Sequence, residues 1–200
     1  MRIAVLVSGT GTNLASLLRA QADGELAPAE IVLVLSNRPG VAALDVAAAA
    51  GVAAVVIDHR QHADRAGFDR ACLDELRRHQ VDAVVLAGFM RLLGPDLLDA
   101  FPGRVINTHP SLLPAFPGVD APAQALAWGV KVSGCTVHFV DGGVDSGPII
   151  FQAAVEVRAD DDRASLHRRI QAEEHRLLPR ATALLAAGRL QRDGRQVRVS

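Results

Sequence analysis

The feature that most constrains this 200-residue chain is a regular alternation of short apolar runs with segments of helical pattern. The runs are rich in Val, Ile, Leu and Ala, which is typical of strands buried on both faces of a parallel sheet. They lie at residues 2–7, 31–35, 53–57, 83–87 and 104–106. Helical spacing of apolar residues occurs at Leu14, Leu17 and Leu18, and over 41–50 and 67–79. This order predicts an α/β fold with a doubly wound, mostly parallel sheet and a Rossmann-like N-terminal half.

The alternation stops at a proline-rich stretch from Pro110 to Pro122, where regular structure is not expected. Two later strands, at 132–140 and 148–157, flank a glycine-rich loop and are expected to pair and close the sheet. A long C-terminal helix over 163–187 carries an apolar stripe, and the polar tail beyond Gly188 is expected to fray or to form a short strand. The stripe consists of Leu166, Ile170, Leu177, Leu178 and Leu184.

Composition sets limits on size and function. Half of the residues are apolar and 22% are charged, which suits one domain spanning residues 1–200. The net charge of -1 lacks the basic excess that nucleic acid or an anionic membrane would require. Lys131 is the only lysine, so a Walker A phosphate loop is impossible and Schiff-base chemistry is close to excluded. With Cys72 and Cys135 as the only cysteines and no signal or membrane-spanning run, we expect a reduced, cytoplasmic protein without a metal site.

A candidate anion site follows the first strand. The segment Ser8–Asn13 places two glycines and free backbone N–H groups at the start of a helix, where phosphate is the natural ligand. The dinucleotide fingerprint G-x-G-x-x-G is matched only at Gly9 and Gly11, because Leu14 replaces the third glycine. The second strand ends in Ser36-Asn37 instead of a ribose-binding acid, so NAD is disfavoured. A plain glycine turn that joins strand to helix is the alternative interpretation.

Three residues in the second half suggest acyl-transfer chemistry. Asn107 and His109 share strand parity, so both side chains point to one side of the carboxyl end of a strand. An amide donor suits a developing oxyanion, and an imidazole suits proton transfer. Asp145, in the glycine-rich loop, is placed to reach this pair and to raise the pKa of the imidazole. The alternative is that these are turn and loop residues without chemistry, which is the expectation for Asp141.

Six segments carry a family resemblance, and together they span residues 1 to about 190 in one register. They are Ser8–Leu14, Leu86–Arg91, Asn107–Pro114, Phe116–Gly118, Thr136–Val140 and Asp145–Pro148. The sequence resembles the phosphoribosylglycinamide formyltransferase family, the folate-dependent transformylases of purine biosynthesis. The Asn-x-His-Pro-Ser-Leu-Leu-Pro block marks the wider superfamily that uses formyltetrahydrofolate. The Ser-Gly-x-Gly-x-Asn-Leu loop is the segment that singles out the ribonucleotide enzymes.

The resemblance implies the formyltransferase fold and a specific reaction. The formyl group of 10-formyltetrahydrofolate, a co-substrate, would pass to the amine of 5'-phosphoribosylglycinamide, with Asn107, His109 and Asp145 as catalytic residues. Residues 1–108 would form the ribonucleotide-binding half, and residues 109–200 the folate-binding and catalytic half. The implied partners are small molecules, with no nucleic acid, membrane or metal, and a homodimer is compatible with the sequence.

The resemblance also implies two sets of binding residues. The ribonucleotide would be held by Gly11, Thr12, Asn13, Gln171, Ala172, Glu173 and Glu174. The formyl folate would be held by Arg65, near its glutamate tail, and by Met90, Arg91, Leu92, Leu93, Asn107, Asp141, Gly142, Gly143, Val144 and Asp145. Helical spacing separately places Glu174 on the apolar stripe of the last helix, where a carboxylate needs a partner, unless it is a solvated residue on a frayed stripe.

The remaining histidines and one loop are less informative. We expect His138 to be a core residue on a strand and the other five to be surface groups: His59, His62, His79, His167 and His175. Many family members have histidine two residues after the Phe/Tyr-Pro-Gly segment, whereas this chain has Val119-Asp120 there. The catalytic contribution of this loop is therefore open.

Three other functions account for only part of the sequence. Formyltetrahydrofolate deformylase shares the Asn, His and Asp but resembles a longer chain with an N-terminal regulatory domain, whereas this chain starts at the first strand. Methionyl-tRNA formyltransferase needs a C-terminal domain and a basic surface. A non-catalytic nucleotide-binding module would explain the glycine loop, but it would not explain why Asn107, His109 and Asp145 occur together.

Overall fold

A computed structural model describes all 200 residues, and its main sheet contains seven strands. They are β1 (Arg2–Val7), β2 (Glu30–Ser36), β3 (Ala54–Val56), β4 (Ala83–Leu86), β5 (Val105–His109), β6 (Val132–Phe139) and β7 (Ile149–Glu156). Their spatial order is β3-β2-β1-β4-β5-β6-β7, in which β1 to β5 pair in parallel while β6 and β7 are antiparallel. The predicted doubly wound sheet with a late antiparallel pair is confirmed.

Six helices cover the two faces of this sheet. They are α1 (Thr12–Ala22), α2 (Ala42–Ala49), α3 (Arg65–Arg78), α4 (Pro95–Ala100), α5 (Ala121–Trp128) and α6 (Arg163–Ala186). The larger hydrophobic cluster joins the sheet to α1, α2, α5 and α6, and the smaller one joins it to α3 and α4. Because both faces are covered, the central strands β1 and β4 are apolar almost throughout. None of the helices is both long and apolar enough to cross a membrane.

The proline-rich segment ends earlier than predicted. The chain is irregular up to Asp120, but α5 begins at Ala121, so the expectation of irregular structure as far as Pro122 was wrong. Proline is compatible with the first turn of a helix because the N–H that it lacks would have no intrahelical partner there. The segment before α5 is fixed by Thr136 on β6, whose hydroxyl accepts from the Leu113 amide at 3.0 Å and donates to the Ser111 carbonyl at 2.7 Å.

The C-terminal region also differs in detail from the prediction. The tail forms a two-stranded antiparallel ribbon of β8 (Leu190–Asp193) and β9 (Gln196–Val199), where fraying or one short strand was expected. On α6 the buried stripe ends at Leu185, while Leu184 is only half-buried. The short helix α4 was not predicted, since six residues carry too little periodicity to identify a helix.

Gly11 is the residue on which the turn from β1 into α1 depends. Its φ of 78° is in the left-handed region, and a Cβ there would lie 2.7 Å from the Cα of Ala43 on α2. Gly11→Ala should therefore lower the free energy of unfolding by about 2 kcal/mol or more, from backbone strain and displacement of α2. Gly9→Ala is the matched control, because a Cβ at Gly9 meets nothing within 4 Å. Equal stability of the two variants in urea titrations would contradict this account.

Candidate active site

The site is built on the end of β5, where the side chains of three consecutive residues point to the two faces of the sheet. Side chains alternate along a strand, so Asn107 and His109 lie on one face and Thr108 on the other. Val105 and Ile106, both buried, anchor the start of the strand in the cores on the two faces. The position of every polar group at this end of β5 therefore follows from the pairing register of the strand.

The three residues predicted as catalytic converge on one face. The Nδ1 atom of His109 lies 3.3 Å from Oδ2 of Asp145, and the Asn107 amide donates to Oδ1 of Asp145 at 3.4 Å. Asp145 comes from the β6–β7 loop, which packs tightly because Gly147 brings its backbone against the Phe139 carbonyl, where a Cβ would not fit. The carboxylate thus bridges the amide and the imidazole.

His138 is a site residue that the sequence analysis placed only in the core. It lies directly opposite Asn107 in the β5–β6 register, which puts both side chains on the same face. Its Nε2 atom lies 3.2 Å from the Asn107 Nδ2 and 3.7 Å from Oδ1 of Asp145, although the residue is only 2% exposed. The alternation of side chains along β6 could have identified His138 as a site residue, but only once the antiparallel partner of β6 was known.

Burial and neighbouring charges shift the pKa values of His109 and Asp145. Burial lowers the pKa of His109, while the hydrogen bond to the Phe116 carbonyl and the charge of Asp145 act in the opposite direction. Asp145 therefore acts on the His109 pKa in the predicted direction, although burial is the larger effect. Burial would also raise the pKa of Asp145, yet contacts with His138, the Gly118 amide and His109 outweigh it and lower that pKa. An ionised carboxylate thus faces the imidazole.

The proline-rich loop contacts both His109 and Asp145. Nε2 of His109 lies 2.8 Å from the Phe116 carbonyl oxygen, and the Gly118 amide donates to Oδ2 of Asp145 at 2.8 Å. Asp120, which stands where many family members have histidine, accepts from Arg163 on α6 at 2.7 and 2.9 Å. The loop is therefore held at one end by Asp145 and at the other by α6.

The opposite face of β5 carries a buried carboxylate. Glu174 on α6 is 3% exposed, and it accepts from the Thr108 hydroxyl at 3.0 Å and from the Asn13 amide at 3.4 Å. This is the partner that its place on the apolar stripe required. Burial raises the pKa of Glu174, because two neutral donors compensate only part of the lost hydration. Thr108 is a second site residue that the sequence analysis did not identify.

The glycine loop has the geometry of an anion site. No side chain caps the N-terminus of α1, so the first amide groups of the helix are available to a ligand. Gln171 on α6 donates to the Thr12 hydroxyl at 3.2 Å, and Asn13 contacts Glu174, so two residues of this loop meet α6. A cleft of about 760 Å³ opens from Thr12 between α1 and α6. Four of its lining residues are arginine: Arg19, Arg176, Arg180 and Arg189.

The segment after β4 lies between the glycine loop and α3. The Met90 amide donates to the Ser8 hydroxyl at 2.8 Å, which ties the segment to the end of β1. Arg65 on α3 donates to the Leu93 carbonyl at 3.2 Å. Met90 and Leu92 are about half exposed although they are apolar, as is Val144 in the β6–β7 loop. Exposed apolar side chains beside a polar cluster are the surface that a flat aromatic ligand would cover.

Not all predicted residues take part in these contacts. Ala172 is exposed and has none of the contacts that Gln171 and Glu174 make with the glycine loop, and Glu173 pairs with Arg176 at 2.7 Å. Asp141 accepts from the Gly143 amide and the Ser146 hydroxyl, which is the turn role expected for it. The five histidines expected at the surface are all half-buried, since their rings pack along helix flanks and loops. No group of three or more His, Cys, Asp or Glu side chains could hold a metal ion.

Comparisons with known proteins agree with this geometry. The family of formyl transferases matches residues 1–182. The chain is 48% identical to a phosphoribosylglycinamide formyltransferase of Mycobacterium tuberculosis, over 99% of this chain and 94% of that protein. It is 49% identical to the trifunctional purine biosynthetic protein adenosine-3 of Drosophila melanogaster over 94% of this chain, but it spans only 14% of that protein's length. Among solved structures, glycinamide ribonucleotide transformylase 1 from Symbiobacterium toebii superposes with a TM-score of 0.97 at 51% identity, covering 100% of this chain and 93% of that chain.

The raised pKa of Glu174 predicts a pH-dependent stability effect. The folded state binds more protons than the unfolded state between the ordinary glutamate pKa and the raised one, so stability is lost as pH rises through that window. Glu174→Gln removes this loss and should raise the melting temperature by about 2–4 °C for each kcal/mol gained, more at pH 8 than at pH 5. Glu30→Gln is the control, because its side chain is 68% exposed. A pH-independent difference would show that Glu174 titrates normally.

Proposed function

The chain belongs to the formyl transferase family, and we propose that it transfers the formyl group of 10-formyltetrahydrofolate to the amine of 5'-phosphoribosylglycinamide. The products are formylglycinamide ribonucleotide and tetrahydrofolate, in purine biosynthesis. The observation that carries this proposal is the cluster at the end of β5, where Asn107, His109 and Asp145 meet. Two relatives support it by their names, the mycobacterial enzyme and the transformylase from Symbiobacterium toebii.

In the proposed mechanism the substrate amine attacks the formyl carbon directly. The carbonyl π electrons move to oxygen, and the resulting oxyanion is stabilised by the Asn107 amide and by protonated His109. Collapse of this intermediate breaks the bond to the folate nitrogen, which takes a proton as it leaves. The attacking amine loses one proton, so proton transfer by His109 through a water positioned by Asp145 balances the reaction. No covalent enzyme intermediate is required.

The ribonucleotide phosphate is assigned to the uncapped start of α1. Gly11, Thr12 and Asn13 would hold it through backbone N–H groups, with Glu174 and Gln171 closing the site from α6. Ala172 and Glu173 complete this proposed set. Glu174 accepts from Thr108, which lies between Asn107 and His109 on β5, and this contact supports assigning the ribonucleotide to the space beside the catalytic pair.

The folate is assigned to the other side of the site. Its ring system would cover exposed Met90 and Leu92, with Arg91 and Leu93 in the same segment and Arg65 near the glutamate tail. The β6–β7 loop would complete this surface through Asp141, Gly142, Gly143, Val144 and Asp145. Binding across the strand ends brings the formyl carbon to Asn107 and His109, where the ribonucleotide amine also arrives.

Two residues do not fit the proposed division of the chain into a ribonucleotide-binding half and a folate-binding half. Residues 1–108 are assigned to the ribonucleotide and residues 109–200 to folate and catalysis. However, Glu174 belongs to the first ligand and Arg65 to the second. One continuous sheet and a shared core join the halves, so we treat them as one unit with both ligands between them. A cytoplasmic location is proposed from the two unpaired, buried cysteines.

The competing activity is hydrolysis of the formyl folate, because the same three residues could direct water at the formyl carbon. We expect formyl transfer to require 5'-phosphoribosylglycinamide, with tetrahydrofolate and formylated ribonucleotide appearing in equal amounts and no formate. His109→Ala should lower turnover by about 10²-fold or more. Product analysis by chromatography, with each substrate omitted in turn, provides the measurement. Formate released without the ribonucleotide would identify a hydrolase instead.

The pH profile tests the partnership of His109 and Asp145. Since the Asp145 charge raises the His109 pKa against the effect of burial, Asp145→Asn should lower that pKa further. Activity that needs protonated His109 falls as pH rises through its pKa, so in the variant this fall should move to lower pH. NMR titration of the His109 ring should accompany the kinetics, because coupled groups can blur a rate profile. A His109 pKa that is unchanged or higher in the variant would exclude Asp145 as its electrostatic partner.

A further inference from the structure

Asp69 on α3 is a buried carboxylate that the proposed mechanism does not use. It is 2% exposed, and its Oδ2 atom accepts from the Gly94 amide at 2.8 Å and lies 3.7 Å from Nε of Arg65. Its Oδ1 atom is buried without any hydrogen-bond partner. Arg65 in turn donates to the carbonyl of Leu93, the residue that precedes Gly94. One carboxylate therefore connects the first turns of α3 with the end of the segment that follows β4.

The residue at position 94 is adapted to this contact. A Cβ on Gly94 would collide with Oδ2 of Asp69 and lie 3.4 Å from Nε of Arg65, so only glycine admits the carboxylate at this distance. The backbone conformation at Gly94 does not itself require glycine, since its φ is -83°. The glycine is thus explained by the approach of Asp69 and not by backbone strain.

The burial of Asp69 is unfavourable for stability. Burial raises its pKa, and the Gly94 amide and the charge of Arg65 offset only part of that rise. The Oδ1 atom of this carboxylate has lost its hydration without gaining a partner, so the burial is only partly compensated. Its geometry fits a role in the site, because both groups that it contacts belong to or adjoin the region assigned to the folate.

We propose that Asp69 is a positioning residue that holds Arg65 and the backbone of residues 93–94 in one arrangement for folate binding. The inference rests on the proposed function, since it assigns Asp69 to the folate and not to the ribonucleotide. Asp69 orients the Arg65 guanidinium from one side while the Leu93 carbonyl holds it from the other. The N–H groups of Arg65 that neither partner uses then remain for an anionic ligand group, such as a folate carboxylate.

Asp69→Asn tests this assignment, because the amide keeps an oxygen for the Gly94 amide but loses the charge that attracts Arg65. We expect the KM for 10-formyltetrahydrofolate to rise about three- to tenfold, while kcat and the KM for the ribonucleotide stay within about twofold. The Kd for tetrahydrofolate, measured by calorimetry without turnover, should rise to the same extent. Asp74→Asn on the same helix is the matched control, because its side chain is 78% exposed.

Two further variants keep the test decisive. Arg65→Ala combined with Asp69→Asn should weaken tetrahydrofolate binding by less than the product of the two single effects, since Asp69 acts through Arg65. Gly94→Ala perturbs the same contact from the loop side and should also raise the folate KM. Folate binding in Asp69→Asn equal to that of the control, or a matching rise in both KM values, would overturn the inference alone. A wild-type protein that does not bind tetrahydrofolate would overturn the proposed function and this inference together.

Discussion

The alternation of side chains along β5 is the constraint on which the site depends. This strand pairs in parallel with β4 on one side and antiparallel with β6 on the other, so two independent ladders fix its register. A shift of the register by one residue would turn Thr108 to the face that now carries Asn107 and His109, and would turn those two residues to the opposite face. Thr108 would then lose its contact with Glu174, and Asn107 and His109 would lose theirs with Asp145. The buried side chains of Val105 and Ile106 oppose such a shift, because each is packed into a different core. The packing of the strand and the geometry of the chemistry are therefore set by the same contacts.

Three buried or half-buried carboxylates belong to the candidate site or to the proposed folate region, and they differ in how well they are stabilised. Glu174 has two neutral donors, Asp69 has one amide and a more distant arginine, and Asp145 has amides and two imidazoles. Burial raises the pKa of Glu174 and of Asp69, whereas the denser set of donors lowers that of Asp145. The carboxylate that lies beside His109 is thus the one with the most polar neighbours. The other two face regions assigned to ligands, which could supply the missing donors when bound.

The fold was predictable because its signals are local. Apolar runs of strand length and the helical stripe of α6 reflect burial directly, and strand parity was enough to place Asn107 and His109 together. Glu174 could be identified because a carboxylate on an apolar stripe is anomalous. His138 could not be assigned to the site, since its role depends on pairing with a strand about 30 residues away. The direction in which Asp145 acts on the His109 pKa was predictable, whereas the sequence does not show the degree of burial that opposes it.

The neighbours of Asn107 hold its amide group on the face of the sheet that carries His138 and Asp145. Nδ1 of His138 lies 2.8 Å from the Phe139 carbonyl oxygen, which can only accept, so this nitrogen donates and fixes the ring. The amide nitrogen of Asn107 lies 3.2 Å from Nε2 of this ring and donates to Oδ1 of Asp145 at 3.4 Å. Both contacts of the amide nitrogen are therefore in place before any ligand arrives. The contact with Asp145, at 3.4 Å, is the longer of the two, so under the proposed mechanism it is the one that a developing oxyanion would replace at least cost. If Asn107 donated to the oxyanion instead, Asp145 would lose its hydrogen bond from the amide, and its negative charge would then act mainly on His109. A single change of hydrogen-bond partner would therefore couple the proposed role of Asn107 to that of His109.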